Sequence, residues 1–194
     1  MSGTLSLSRT ALSQYPPGKA MSQSTLNAEF ERVILPHLNS AYNLARWLLR
    51  NEQDAQDVVH DSFLRAHRYF ESFDGTDGRA WLFGIVRNAC FSFLRASKIQ
   101  QIPTNEDLYL RSSGEASPEH AVMLKEDLQA LRDCIEALPP EYREAVVLRE
   151  LEELSYKEIS VAAGIALGTV MSRLNRARIR LENCVTGKAK EIGR

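Results

Sequence analysis

Cysteine is scarce in this chain, and the three present (Cys90, Cys134 and Cys184) are far apart and form no C-x-x-C pair. That spacing excludes a disulfide-framed secreted domain and a zinc ribbon, and it predicts buried or free thiols. The four histidines, His37, His60, His67 and His120, lack an i, i+4 metal-binding spacing, so no metal role is expected. No stretch approaches the ~18 consecutive apolar residues that would span a membrane. Arg9, Tyr15, Pro16 and Pro17 interrupt any leader-like apolar run near the start, so cytoplasmic residence without membrane insertion is expected. An excess of either charge is also missing: the formal net charge is −1. A uniformly basic coat is thereby excluded, and any nucleic-acid site must come from segregated charge. The chain carries no nucleophile–base–orienter set, phosphate loop or paired-carboxylate site, which argues against an enzyme and against a cofactor.

What is present is segregated charge on helical patterning. From Ala166 onward there are seven basic residues against two acids, a local balance of +5. Between Glu115 and Glu153 there are eleven acids against four bases, a balance of −7. The second domain is therefore polarised, with one end suited to DNA and the other to a different partner.

The stretch Ser155 to Val185 is the focus of the basic end. Ser155 and Glu158 have the spacing of a capping box. The helix that they open runs through Ile159 and Ala163, and Gly164 is placed to end it in the left-handed conformation. Ile165 and Ala166 fill a turn, and a longer helix begins near Gly168, which is the outline of a helix-turn-helix. On the second helix, Val170, Leu174, Ala177, Leu181, Cys184 and Val185 share an apolar side. Met171, Ser172, Asn175, Arg176 and Ile179 share the other, flanked by Arg173, Arg178 and Arg180. Short polar groups and arginines on one face suit base edges and phosphates in a major groove. A solvated amphipathic helix fits the same pattern.

Upstream, the patterning predicts four more helical segments. The first run carries Phe30, Val33, Ile34, Leu38, Ala41, Leu44, Ala45, Leu48 and Leu49 at three- and four-residue steps, divided by Pro36 at the start of a second helix. The next helix, Asp54 to Phe70, has a stripe of Ala55, Val59, Phe63, Ala66 and Phe70. Its opposite face holds Asp57, His60, Asp61, Leu64 and Arg68. An exposed Leu64 among acids fits a partner surface, or simply one of the single exposed leucines common on proteins. Glu71 to Gly78 reads as a loop. A helix from Arg79 to Lys98 has a core stripe of Trp81, Leu82, Ile85, Val86, Ala89 and Phe93. Arg87, Asn88, Phe91, Arg95 and Lys98 lie opposite. Four bases and no acid around an aromatic suit unpaired nucleic acid, or a solvated basic face with Phe91 half buried.

The fold class expected is all-α: two small helical domains joined by a flexible linker, the second containing the helix-turn-helix. The expected boundaries are 1–25 for a flexible tail, 26–98 for the first domain and 99–118 for the linker. The second domain follows at 119–186 and a basic tail at 187–194. Within the second domain a helix from Glu119 to Ala137 precedes Pro139-Pro140, which opens a helix carrying Tyr142, Ala145, Val146, Val147 and Leu151. Domains of about 70 residues are small enough to draw stability from each other or from a partner.

The motifs DAQDVVHDSFLRAHRYF, WLFGIVRNACFSFLR, LPPEYREAVVLRELEELSYKEIS and GTVMSRLNRARIRL resemble the extracytoplasmic-function sigma factors of bacteria, in order and spacing, over about residues 26–186. The resemblance implies that RNA polymerase core (clamp and flap regions) and promoter DNA are partners. It also implies an anti-sigma factor, often membrane-bound, which would hold the chain near the membrane. It places core contacts at Asp54, Asp57, Asp61, Leu64 and Arg65. The loop 72–77, with Ser72, Phe73 and Asp74, falls where a flipped −10 base is captured. Arg87, Asn88, Phe91 and Arg95 fall against the melted strand. Met171, Ser172, Arg173, Asn175 and Arg176 fall on the −35 recognition helix. Met171 replaces a residue that is often basic, and His60 replaces a common Gln. The competing expectations are a helix-turn-helix regulator that binds duplex DNA without polymerase, and a helical scaffold that binds only protein.

Overall fold

The computed structural model describes the backbone of residues 23–100 and 119–192, and the side chains of 24–97 and 128–187. The expected linker and N-terminal tail lie largely outside the described residues, whereas helix continues through most of the expected C-terminal tail, as far as Ile192. Eight α-helices follow in order: α1 Gln23–Ile34, α2 Leu38–Leu49, α3 Glu52–Tyr69, α4 Gly78–Gln100, α5 Glu119–Glu136, α6 Pro140–Val146, α7 Tyr156–Ala163 and α8 Leu167–Ile192. The described residues contain no strand. Pro36 lies inside a short 3-10 turn, Leu35–His37, so α2 begins two residues later than Pro36 would have set it.

Local chemistry sets the helix ends. Arg50 adopts a left-handed φ of 62° past α2, and the Asn51 side chain accepts from Asp54 N at 3.0 Å to open α3. The Asp77 carboxylate accepts from Ala80 N at 2.9 Å in the first turn of α4. Gly78 is there for packing: a Cβ at this position would stand 2.3 Å from Val33 Cγ1. In the second half, Ser155 and Glu158 form the expected capping box, and Gly164 takes a φ of 65°. A single π-helical turn, Val147–Leu151, links α6 to the approach to α7.

The two halves are not separate bodies. α2, α3 and α4 pack together, and α4 also packs against α7, while α2 touches α6. One apolar cluster runs through both halves, from Phe30, Ile34, Leu44 and Leu48 through Leu82, Phe83 and Val86 to Leu148, Leu154, Ile159 and Leu174. This corrects the expected stripe on α4. Phe83 and Cys90 are fully buried, whereas Trp81, Ile85, Ala89 and Phe93 are half-buried. A helix packed on two sides needs a wider apolar surface than one stripe. Gly84 marks the second contact: its missing Cβ would stand 3.3 Å from the Ala162 carbonyl oxygen of α7.

The cysteine expectation also needs correction. Cys90 is a buried free thiol as expected, but Cys134 and Cys184 form a disulfide, with Cα atoms 5.8 Å apart across 50 residues of sequence. α5 and α8 pack side by side, which brings together two cysteines that spacing alone kept apart. Val185, assigned to the apolar side of α8, is exposed because the packed part of that side ends near Cys184.

Candidate nucleic-acid interface

α8 presents the most open of the candidate surfaces. Val170, Leu174 and Ala177 are buried against the domain, which turns Met171, Ser172, Asn175 and Arg176 to solvent. Met171 is 52% exposed. The Ser172 hydroxyl donates to Thr169 O at 3.0 Å, the ordinary back-bond of a helical serine. Arg178 pairs with Glu150 at 2.8 Å, and Arg180 lies over the Tyr142 ring, so these flanking bases are partly held. Arg173 differs from the other assigned residues of this helix. It is half-buried, with Nη1 3.6 Å from the Glu144 carboxylate.

α4 carries the second candidate surface. Asn88 and Arg95 are exposed, and the Arg95 guanidinium has only a long contact to Ser92 Oγ at 3.4 Å. Arg87 points elsewhere: its Nε donates to Glu144 Oε1 at 2.6 Å, and its guanidinium lies 4.5 Å over the Phe91 ring. Phe91 is consequently half-buried beneath a cation.

The loop before α4 is ordered by its own side chains. Ser72 Oγ donates to Tyr69 O at 2.6 Å, and the Asp74 carboxylate accepts from Thr76 N and Thr76 Oγ1 at 3.0 and 2.7 Å. Phe73 stacks on Phe70 at 5.5 Å and tilts against Trp81 at 5.3 Å, so its ring is an anchor of the loop. Asp74 remains exposed.

On α3, Asp57, Asp61 and Leu64 share an open face, with Leu64 50% exposed. Asp54 and Arg65 are half-buried at its edges.

Sequence reasoning missed a set of buried charges in α6 and just after it. Arg143, 4% exposed, donates to four carbonyls: Trp47 and Leu48 at 2.9 and 3.3 Å, and Glu136 and Leu138 at 2.7 and 2.9 Å. Burial pushes its guanidinium down to about 10, with Arg50 adding to the fall and Glu136 opposing it. Glu144 is 1% exposed, and burial pushes its carboxyl upward against the opposing pull of Arg87 and Arg173. Glu152 is buried and meets Arg79 at 2.9 Å. These residues sit inside an amphipathic stretch at positions no periodic template marks as charged, so no local signal exposes them.

Residues 33–99 match the family model "Sigma-70 region 2" and residues 128–181 match "Sigma-70, region 4". The ECF RNA polymerase sigma factor SigE of Mycolicibacterium smegmatis is 32% identical over 187 residues, covering 92% of this chain and 72% of that one. SigM of Bacillus subtilis, also an ECF sigma factor, is 33% identical and covers 78% of this chain and 92% of its own. Among solved structures, the sigma factor RpoE, in complex with the anti-sigma factor NepR from Bartonella quintana, superposes with a TM-score of 0.65 at 28% identity. That match covers 81% of this chain and 97% of RpoE. CnrH, solved with the cytosolic domain of CnrY, shares the fold at a TM-score of 0.59 and 24% identity, covering 86% of this chain and 90% of CnrH.

Proposed function

The chain belongs to the ECF RNA polymerase sigma factors, alternative sigma factors that direct transcription initiation, and on that premise we propose how its surfaces divide the work. α3 docks on polymerase core through Asp54, Asp57, Asp61, Leu64 and Arg65, with Leu64 as the apolar centre of an acidic rim. α8 reads the −35 duplex with Met171, Ser172, Asn175 and Arg176, and Arg173 joins them once released from Glu144. α4 and the loop before it hold the melted −10 strand. Arg87, Asn88, Phe91 and Arg95 meet the phosphates and bases of the unpaired strand, and the loop carrying Ser72, Phe73 and Asp74 captures an extruded base.

The energetics support a separate strand-holding surface. Extruding a base costs a few kcal/mol. Stacking on a ring returns ~1–3 kcal/mol per base, and arginine adds phosphate neutralisation. A protein that read only duplex DNA would have no use for this second surface. The chain works without catalytic groups of its own: the polymerase supplies the chemistry and this subunit supplies promoter choice. An anti-sigma factor is a further partner, by likeness to RpoE, and the site of action is the cytoplasm.

The observation that carries this proposal is the pairing of the solvent-facing polar face of α8 with the exposed Asn88 and Arg95 of α4. Its test is run-off transcription with purified polymerase core on a fragmented genomic library. Core-dependent transcripts from discrete promoters are expected. Duplex binding without any core-dependent transcript would instead assign the chain to ordinary helix-turn-helix regulators.

A further inference from the structure

One row along the open face of α8 is mostly apolar. Leu167, Met171, Asn175 and Ile179 follow at four-residue steps, which makes them neighbours along the helix surface. All four are exposed, with Leu167, Met171 and Ile179 at 46%, 52% and 50%. Val170, Leu174 and Ala177 are buried on the other side of the helix, so the row cannot turn inward. The turn before α8 fixes how the row is presented. Ile165 packs against the core, and the Ser160 hydroxyl donates to Ile165 O at 2.5 Å. Thr169 N and Val170 N both donate to Ala166 O, at 2.8 and 3.1 Å.

The polar groups in the first turns of α8 offer little to the edge of a base pair. Ser172 Oγ already donates its proton to Thr169 O. Arg173 is directed at Glu144, and no other basic residue stands between Leu167 and Asn175. Arg176 and Arg178 lie on the two flanks of the row, Arg178 paired with Glu150 at 2.8 Å. A recognition helix places its flanking arginines near phosphates and its central, N-terminal residues near base edges. An apolar side chain gains nothing from a phosphate, whose hydration it would displace. The major-groove edges of the base pairs carry one apolar group, the C5-methyl of thymine. Met171 is the most exposed apolar residue of the row, and its unbranched thioether chain adapts to so small a target.

We propose that Met171 reads the −35 duplex by apolar contact with a thymine methyl group, so that a methyl rather than a charge sets base preference at the first turns of α8. The inference rests on the assignment of α8 to the −35 duplex made above, and it names the base chemistry that this helix selects.

The test uses the full chain assembled with purified polymerase core, on a promoter recovered by the run-off assay. Each thymine upstream of the melted segment is replaced in turn by deoxyuridine, which lacks only the methyl group. Affinity is read by fluorescence anisotropy at fixed salt for wild type, Met171→Leu and Met171→Gln. Wild type should lose about fourfold in affinity at one sensitive thymine, the worth of one buried methyl group. Met171→Leu, still apolar, should keep that ratio. Met171→Gln keeps the length of the side chain and should bind the thymine and deoxyuridine promoters equally. Circular dichroism and co-purification with core should match wild type in both variants, because Met171 stands on the open face of α8. The readout is overturned if no deoxyuridine weakens wild type, or if the two variants behave alike at the sensitive thymine. Failure of the underlying assignment reads differently: wild type would then give no core-dependent transcripts and the readout would fall with it, whereas failure of the readout alone leaves those transcripts intact.

Discussion

The two halves of the molecule are held by different means. The first half is built on apolar contacts, with Phe30, Phe70 and Phe83 buried and Phe30 meeting Phe63, His67 and Phe70 edge-on. Ser62 is the polar residue buried there. The second half has no buried aromatic among the described residues, yet it holds Arg143, Glu144 and Glu152 in its interior and ties α5 to α8 with a disulfide. Arg143 reaches across to the last carbonyls of α2, satisfying groups that a helix end leaves without partners. A small domain with few large apolar side chains leans on polar, covalent and borrowed contacts. The same contrast appears at the interfaces: the basic face of α4 is partly covered, whereas that of α8 is open.

The largest effect expected concerns the open face of the first half. Leu64→Glu should abolish co-purification with polymerase core while circular dichroism stays that of wild type, because Leu64 stands 50% exposed on the open face of α3. Wild-type retention of core would move the docking surface elsewhere.

Arg143→Ala strikes the opposite kind of residue. It strips hydrogen bonds from four carbonyls and should lower the unfolding free energy by about 3–5 kcal/mol in urea titrations. If the halves depend on each other as described, both should unfold in one transition. A loss under about 1 kcal/mol would mean that water replaces the guanidinium at little cost.

Removing the disulfide sharpens the contrast further. Cys134→Ser with Cys184→Ser should cost about 2–4 kcal/mol, since the bridge closes a long loop in the unfolded chain. Dithiothreitol should shift wild type by a similar amount and leave the double variant unchanged. Cys90, buried with its thiol pushed up to about 12, should react slowly with thiol reagents in the native state.

The smallest expected effect separates two arginines three positions apart on α8. Arg176→Ala should weaken duplex promoter binding by roughly 1–3 kcal/mol if it reads a base, with little change in melting temperature. Arg173→Ala should do the reverse in the core-free protein, lowering stability by leaving Glu144 with one partner. Equal behaviour of the two variants in fluorescence anisotropy and thermal melts would erase the distinction between an open and a held arginine.

Much of this molecule was legible in its residues. The capping box at Ser155 and Glu158, the left-handed Gly164 and the exposed face of α8 follow from local rules, since a helix end or an apolar stripe is decided within a few residues of chain. The open face of α3 followed for the same reason. Tertiary structure alone decided that Cys134 meets Cys184, that Phe83 and Cys90 join the core on a helix packed from two sides, and that Arg87 and Arg173 share Glu144. Periodicity reports which face of one helix is apolar, but it carries no information about which other helix will cover that face. A buried ion pair between residues 57 positions apart exists because two helices cross, and that crossing is a property of the packed chain as a whole.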